Sequence, residues 1–289
     1  MYESNSPLFK SRSVLGRLSA SFKFINDHAG LLLRVGGIAL LPASLLWAVY
    51  AAVEASVASG SGVAGWQIAV GVIVLLVCLV LFCGFQSLLY VWIKQFSDGE
   101  MRVEYAWKHL LEPMKRYAGR LLSADIVLAV VLLLCLVLGW GLFLLSPYTL
   151  IATLPLAFFV LVPFSYLAPV YILDNCSFSA ALVKSLRMGL PTWGAMFAVS
   201  LVAWVVCGLV TFVGVLPFAL GIAAMLSSFA DFSTEVLLPV YFPFLIFLFA
   251  ALGVWVAGLA HSLVTVATVF QYGSAEARRQ EWKEENQSL

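Results

Sequence analysis

"DIVLAVVLLLCLVLGWGLFLLSPYTLIATLPLAFFVLVPFSYLAPVYILD", residues 125–174, carries no charged side chain between its two terminal aspartates. As a single helix its uncharged part would extend roughly 70 Å, more than twice the thickness of a hydrocarbon layer. It therefore has to fold back on itself. Ser146-Pro147 marks the place, because proline lacks an N–H and pushes the residue before it away from the helical region. The stretch reads as two crossings, about 121–145 and 149–172, joined by a tight turn.

The same reasoning extends to both sides. "VGGIALLPASLLWAVYAAV" lies between Arg34 and Glu54 and fits a span over about 32–53. The next charge-free stretch opens on "ASVASGSGVAG", a loop by composition, and then supports a span over about 66–93. Further spans fall at about 192–215 and 236–271, the last with bend points at Pro239 and Pro243. Residues 216–235, with Pro217, read as a connection, within which 217–230 are either a helix lying along the surface or part of the fifth span. The chain is 63% hydrophobic and 11% charged, with mean hydropathy +1.01. Soluble domains carry about a quarter charged residues, so this is the composition of a membrane protein. The expected fold class is all-α: a polytopic membrane helix bundle of six transmembrane helices. One membrane domain covers 1–275, with a charged tail at 276–289.

The cations are distributed unevenly. Five lie at or before Arg34, six from Lys94 to Arg120, two at Lys184 and Arg187, and three from Arg278 onward, accounting for all 16. The loops at 54–65, 146–149 and 216–235 hold none. By the positive-inside rule both termini are expected to face the cytoplasm. Trp47, Tyr50, Trp66, Trp140 and Tyr148 then mark one interface, and Tyr90, Trp92, Tyr171, Trp193 and Tyr272 the other. The net charge of +1 supplies no field for nucleic acid.

Each basic segment before an odd-numbered span is amphipathic. Residues 10–29 place Val14, Leu15, Leu18, Phe22 and Ile25 on one helical face, and 102–118 place Trp107, Leu110, Leu111 and Met114 opposite their charges. In 177–189, Phe178, Leu182 and Leu186 oppose Lys184 and Arg187. These predict three interfacial helices, apolar side in the acyl boundary, within a three-fold repeat of interfacial helix plus hairpin. Their cations, Lys23, Lys115, Arg116, Lys184 and Arg187, are the expected contacts for anionic lipid headgroups.

The N-terminal "LSASFKFI", the mid-chain "FSAALVKSLRMG" preceded by Asp174, and the closing "TVATVFQYGSAEARR" resemble a broad group of bacterial six-span proteins. That group is similar to the membrane domain of some glycerophosphoryl diester phosphodiesterases and to related integral membrane families. The resemblance implies a membrane module that handles or senses lipid. The chain has no segment long enough for the hydrolase barrel, so the resemblance carries no catalytic activity with it.

Arg34 and Asp125 lie near the cytoplasmic ends of spans one and three, where they can snorkel or pair; His261 is the better candidate within the spans, either a helix-joining hydrogen-bond group or a proton or ligand contact. The five cysteines lack metal-ligand or disulfide spacing, and no phosphate-binding glycine loop, HExxH motif or catalytic triad pattern is present. No catalytic residue, metal site or cofactor is expected. The expected role is non-catalytic: binding or sensing lipid, or scaffolding a membrane-protein partner or a second copy of the chain. The alternative is a small-molecule or ion transporter component, favoured by the three prolines of the fourth span and by His261.

Overall fold

The computed structural model describes residues 6–57, 65–99, 107–230 and 241–287, and all regular structure among them is helical. The elements are α1 (Val14–Asp27), α2 (Ala29–Leu31), a π turn (Leu32–Gly36), α3 (Gly37–Val57), α4 (Gly65–Ser97) and α5 (Trp107–Leu145). After a 3₁₀ turn (Pro147–Thr149) come α6 (Leu150–Phe164), α7 (Leu167–Leu173), α8 (Phe178–Gly189), α9 (Trp193–Ala230) and α10 (Phe242–Gln287). Six helical segments are long and apolar enough to cross a bilayer: Ala29–Ser56, Trp66–Ser97, Leu110–Leu144, Pro155–Leu173, Trp193–Ala224 and Phe242–Gln287. Along α5, Leu133, Leu134, Leu136, Val137 and Leu138 are all exposed. Consecutive exposed apolar residues on every side of a helix mean that its surroundings are lipid.

Proline explains the breaks. The α5–α6 turn forms at Ser146-Pro147, and the Thr149 hydroxyl donates to the Ser146 carbonyl at 2.7 Å. The fourth span is divided in two at Ser165-Tyr166, because Pro169 has no N–H to offer the Ser165 carbonyl one turn back.

Two expectations change. Residues 107–118 are not a separate interfacial helix; they are the opening turns of α5, with Pro113 accommodated inside it. Residues 102–106, the start of that predicted helix, lie outside the described residues. The fifth span does not stop near 215: α9 continues through Pro217 to Ala230, so of the two readings open for residues 217–230 the continuation of the fifth span holds. Apolar residues persist past the proline, and close packing holds the extension. A Cβ at Gly214 would lie 2.7 Å from Val256, and one at Gly221 would lie 2.9 Å from Ile246.

The chain divides into two compact units. The first comprises Met1–Asp27, Gln86–Ala203 and Val264–Leu289; the second comprises His28–Phe85 and Trp204–Leu263. The first unit has the large core, in which Phe24, Tyr166, Val170, Met196, Phe270 and Tyr272 are buried together. The second is held by close helix crossings. Trp255 donates its indole N–H to the Gly37 carbonyl at 3.0 Å, beside the π turn.

Candidate functional site

Polar residues of the first unit converge on "QYGSAE" at 271–276 of α10, about three turns before its end at Gln287, all of them buried. Small residues permit this. A Cβ at Gly273 would lie 2.6 Å from the Leu8 carbonyl oxygen, so the N-terminal segment can run directly against α10. Arg17 of α1 is thereby enclosed at 1% exposure. Its Nε donates to the Arg12 carbonyl at 3.0 Å and to Ser274 Oγ at 3.1 Å, its Nη2 to the Arg12 carbonyl at 2.7 Å, and its Nη1 to Gln271 Oε1 at 2.5 Å. Among the described residues no carboxylate lies within ion-pair distance of Arg17; neutral acceptors solvate it. Arg12 caps the neighbouring carbonyls of Pro7 at 2.6 Å and Leu8 at 3.3 Å, and partial burial holds its guanidinium below its ordinary pKa.

A directional chain leaves Arg17. Gln271 Nε2 donates to the Tyr166 hydroxyl at 2.9 Å, and Tyr166 pairs with Thr192 Oγ1 at 3.1 Å. Thr192 donates to the Met188 carbonyl at 2.7 Å. Since Tyr166 accepts from Gln271 and Thr192 gives its proton to Met188, the Tyr166 O–H points at Thr192.

A second cluster surrounds Lys184 of α8. Its Nζ lies 2.7 Å from Asp174 Oδ2 and 3.2 Å from Glu276 Oε2. It also donates to the Tyr272 hydroxyl at 3.2 Å, and that hydroxyl donates to Asp174 Oδ1 at 2.5 Å. Glu276 Oε2 is fully buried. It is within ion-pair distance of Lys184 and, at 3.8 Å, of Arg279, but accepts no well-directed hydrogen bond. Nearby, Arg120 donates to the Tyr171 carbonyl at 2.9 Å and covers its ring at 5.0 Å.

The predicted headgroup contacts therefore separate. Lys184 turns inward onto two carboxylates instead of outward toward lipid. Lys23, Lys115 and Arg187 are exposed; Arg116 is exposed as well and donates to Asn175 Oδ1 at 2.9 Å. The face of α8 also differs from expectation. Ala181, Ser185, Met188 and Gly189 are its buried positions, and Phe178 and Leu182 pack on the protein core, while Val183 is 60% exposed. His261 belongs to the second unit and sits edge-on to the rings of Phe82 and Trp204, with centroids at 5.2 and 5.3 Å.

Cys176 lies beside the Lys184 cluster. Burial raises its thiol pKa, and the Asp174 carboxylate raises it further. With the other four cysteines replaced, iodoacetamide labelling of Cys176 is expected to titrate at higher pH than free cysteine, because only the thiolate reacts. A midpoint at or below that of free cysteine would contradict this environment.

Sequence reading missed Arg17, Tyr166, Thr192, Gln271, Tyr272 and Glu276 as partners. The available signal was the mixture of glycine, alanine and serine with polar residues at 271–276 within a long helix, which allows close backbone approach. The six apolar helices define a multi-pass membrane protein. No family model matches the chain, and no curated protein or solved structure matches it either.

Proposed function

We propose that this chain is a non-catalytic protein of the bacterial cytoplasmic membrane that binds anionic lipid at its basic side, with both termini in the cytoplasm. One observation carries the reading: every lysine and arginine falls in four segments at one end of the spans, and the connections at the other end have none. Each cation near an anionic leaflet contributes about 1 kcal/mol of attraction. Lys23, Lys115, Arg116 and Arg187 are exposed and can make that contact. The resemblance to membrane domains that accompany glycerophospholipid-related chemistry supports the same reading.

Lipid analysis of protein purified in mild detergent tests it. Phosphatidylglycerol or cardiolipin enriched above its share of the membrane is expected, and a complement matching bulk membrane would overturn the proposal. The orientation has a separate test on a cysteine-free background. An impermeant maleimide applied to intact cells is expected to label Gly60→Cys and to spare Lys283→Cys; the reverse pattern would invert the topology.

A further inference from the structure

A cavity of about 330 Å³ opens where the α8–α9 turn meets α10, within the first unit. Its walls carry Arg187, Arg278 and Arg279, and among the described residues no carboxylate lines it. That volume is near the lower end for small-ligand clefts. Met188, 6% exposed, and Ala275, 7% exposed, are the closely packed residues of its lining.

The three charges are only partly neutralised. Arg187 makes no hydrogen bond or ion pair among the described residues and is exposed. Arg278 makes one long contact, at 3.4 Å, to the Arg12 carbonyl. Arg279 shares Glu276 with Lys184, at the longer distance of 3.8 Å against 3.2 Å. Pro191 and Thr192 of the cavity wall lead directly into α9, whose Trp193 and Met196 N–H groups are already held by the Leu190 and Thr192 carbonyls at 3.4 and 2.9 Å. The positive end of the α9 dipole adds to the field of the arginines. The Thr192 hydroxyl is already committed to Met188, so recognition falls to the guanidinium groups.

Guanidinium forks pair two N–H groups with two oxygens of one anion, and three arginines lining one cavity suit a tetrahedral, multiply charged group better than a carboxylate. Trp193, stacked on Phe197 at 5.2 Å, begins the fifth span next to the cavity, at the level where aromatic side chains meet headgroups. We propose that Arg187, Arg278 and Arg279 form a discrete binding site for a phosphate group, carried by a lipid headgroup at the membrane surface. This deepens the lipid-binding reading above and rests on it.

Native mass spectrometry of the full chain released from nanodiscs of equal phosphatidylglycerol and phosphatidylcholine tests the site. The wild type is expected to retain phosphatidylglycerol. The triple variant Arg187→Gln, Arg278→Gln, Arg279→Gln is expected to retain at least fivefold less, and the control Lys10→Gln, Lys283→Gln, which alters two exposed cations outside the cavity and outside the named lipid contacts, as much as wild type. Arg187→Gln alone, which removes a side chain without protein partners, is expected to give a partial loss even if the triple variant folds poorly. Equal losses in the control and the triple variant, or no loss in any arginine variant, would overturn the site and leave general lipid binding standing. If the wild type retains no anionic lipid, the lipid reading falls. The decisive arm is then the thermal stability of protein in phosphatidylcholine-only nanodiscs with inorganic phosphate. An increase that disappears in Arg187→Gln assigns the site to free phosphate, and no increase overturns the site itself.

Discussion

Replacing Lys184 by glutamine is expected to lower stability by about 3 kcal/mol, the lower end for removing one member of a buried charge group. The size follows from what remains. Asp174 and Glu276 side chains are 12% and 10% exposed, and both lose their nearest cation; Lys184 itself is 24% exposed, which argues against the upper end. Asp174 would retain the Tyr272 hydroxyl, but among the described residues Glu276 would retain only the distant Arg279. Adding Glu276→Gln to the Lys184→Gln variant is therefore expected to recover a substantial part of the loss, a coupling characteristic of groups in contact. Denaturant titration in detergent measures both. A loss below 1 kcal/mol for Lys184→Gln, or no recovery in the double variant, would mean that the carboxylates are solvated by other groups.

The same residue shows what the sequence can and cannot convey. The spans were legible because crossing a bilayer needs long charge-free stretches, and Ser146-Pro147 can only be a turn in such a stretch. The beginning of α8 at Phe178 and its end at Gly189 were legible for similar local reasons. Which way a polar stripe faces was not. Helical periodicity places Lys184 opposite Leu182 but does not say whether either meets lipid, water or another helix. In the structure Leu182 meets the protein core and Lys184 meets Asp174 and Glu276. Arg17 is the sharper case. Its polar neighbours in sequence suggest a solvated face, yet α10, more than 250 residues later, encloses it. Pairing at that separation leaves only an indirect trace, the small residues around Gly273. The arginine cavity was partly legible. Arg187 was singled out as a headgroup contact, whereas Arg278 and Arg279 read as a solvated tail until α10 proved to be one continuous helix.

Gly189→Ala provides the second large effect, and its sign is the informative part. Gly189 does not have a positive φ, so it is not needed there for backbone freedom. On helix propensity alone, alanine near the end of α8 would be neutral or stabilising by up to about 1 kcal/mol. Packing predicts the opposite. A Cβ at this position would lie 2.6 Å from Pro163 Cα and 2.7 Å from its Cβ, against a rigid ring and backbone that cannot rotate away. Helix α8 would have to withdraw from α6, straining the 2.7 Å bond from Ser185 Oγ to the Pro163 carbonyl and loosening Met188 beside it. Overpacking of this kind costs about 1–3 kcal/mol, and the backbone contact favours the upper half of that range. Gly194→Ala is the matched control, since nothing lies within 4 Å of a Cβ there. Thermal unfolding in detergent is expected to show a clear loss for Gly189→Ala and none for Gly194→Ala. Because Arg187 and Met188 immediately precede Gly189 and line the arginine cavity, the Gly189 variant should also retain less phosphatidylglycerol. Stabilisation by Gly189→Ala would mean that α8 is not docked on α6, and the cavity would lose one wall.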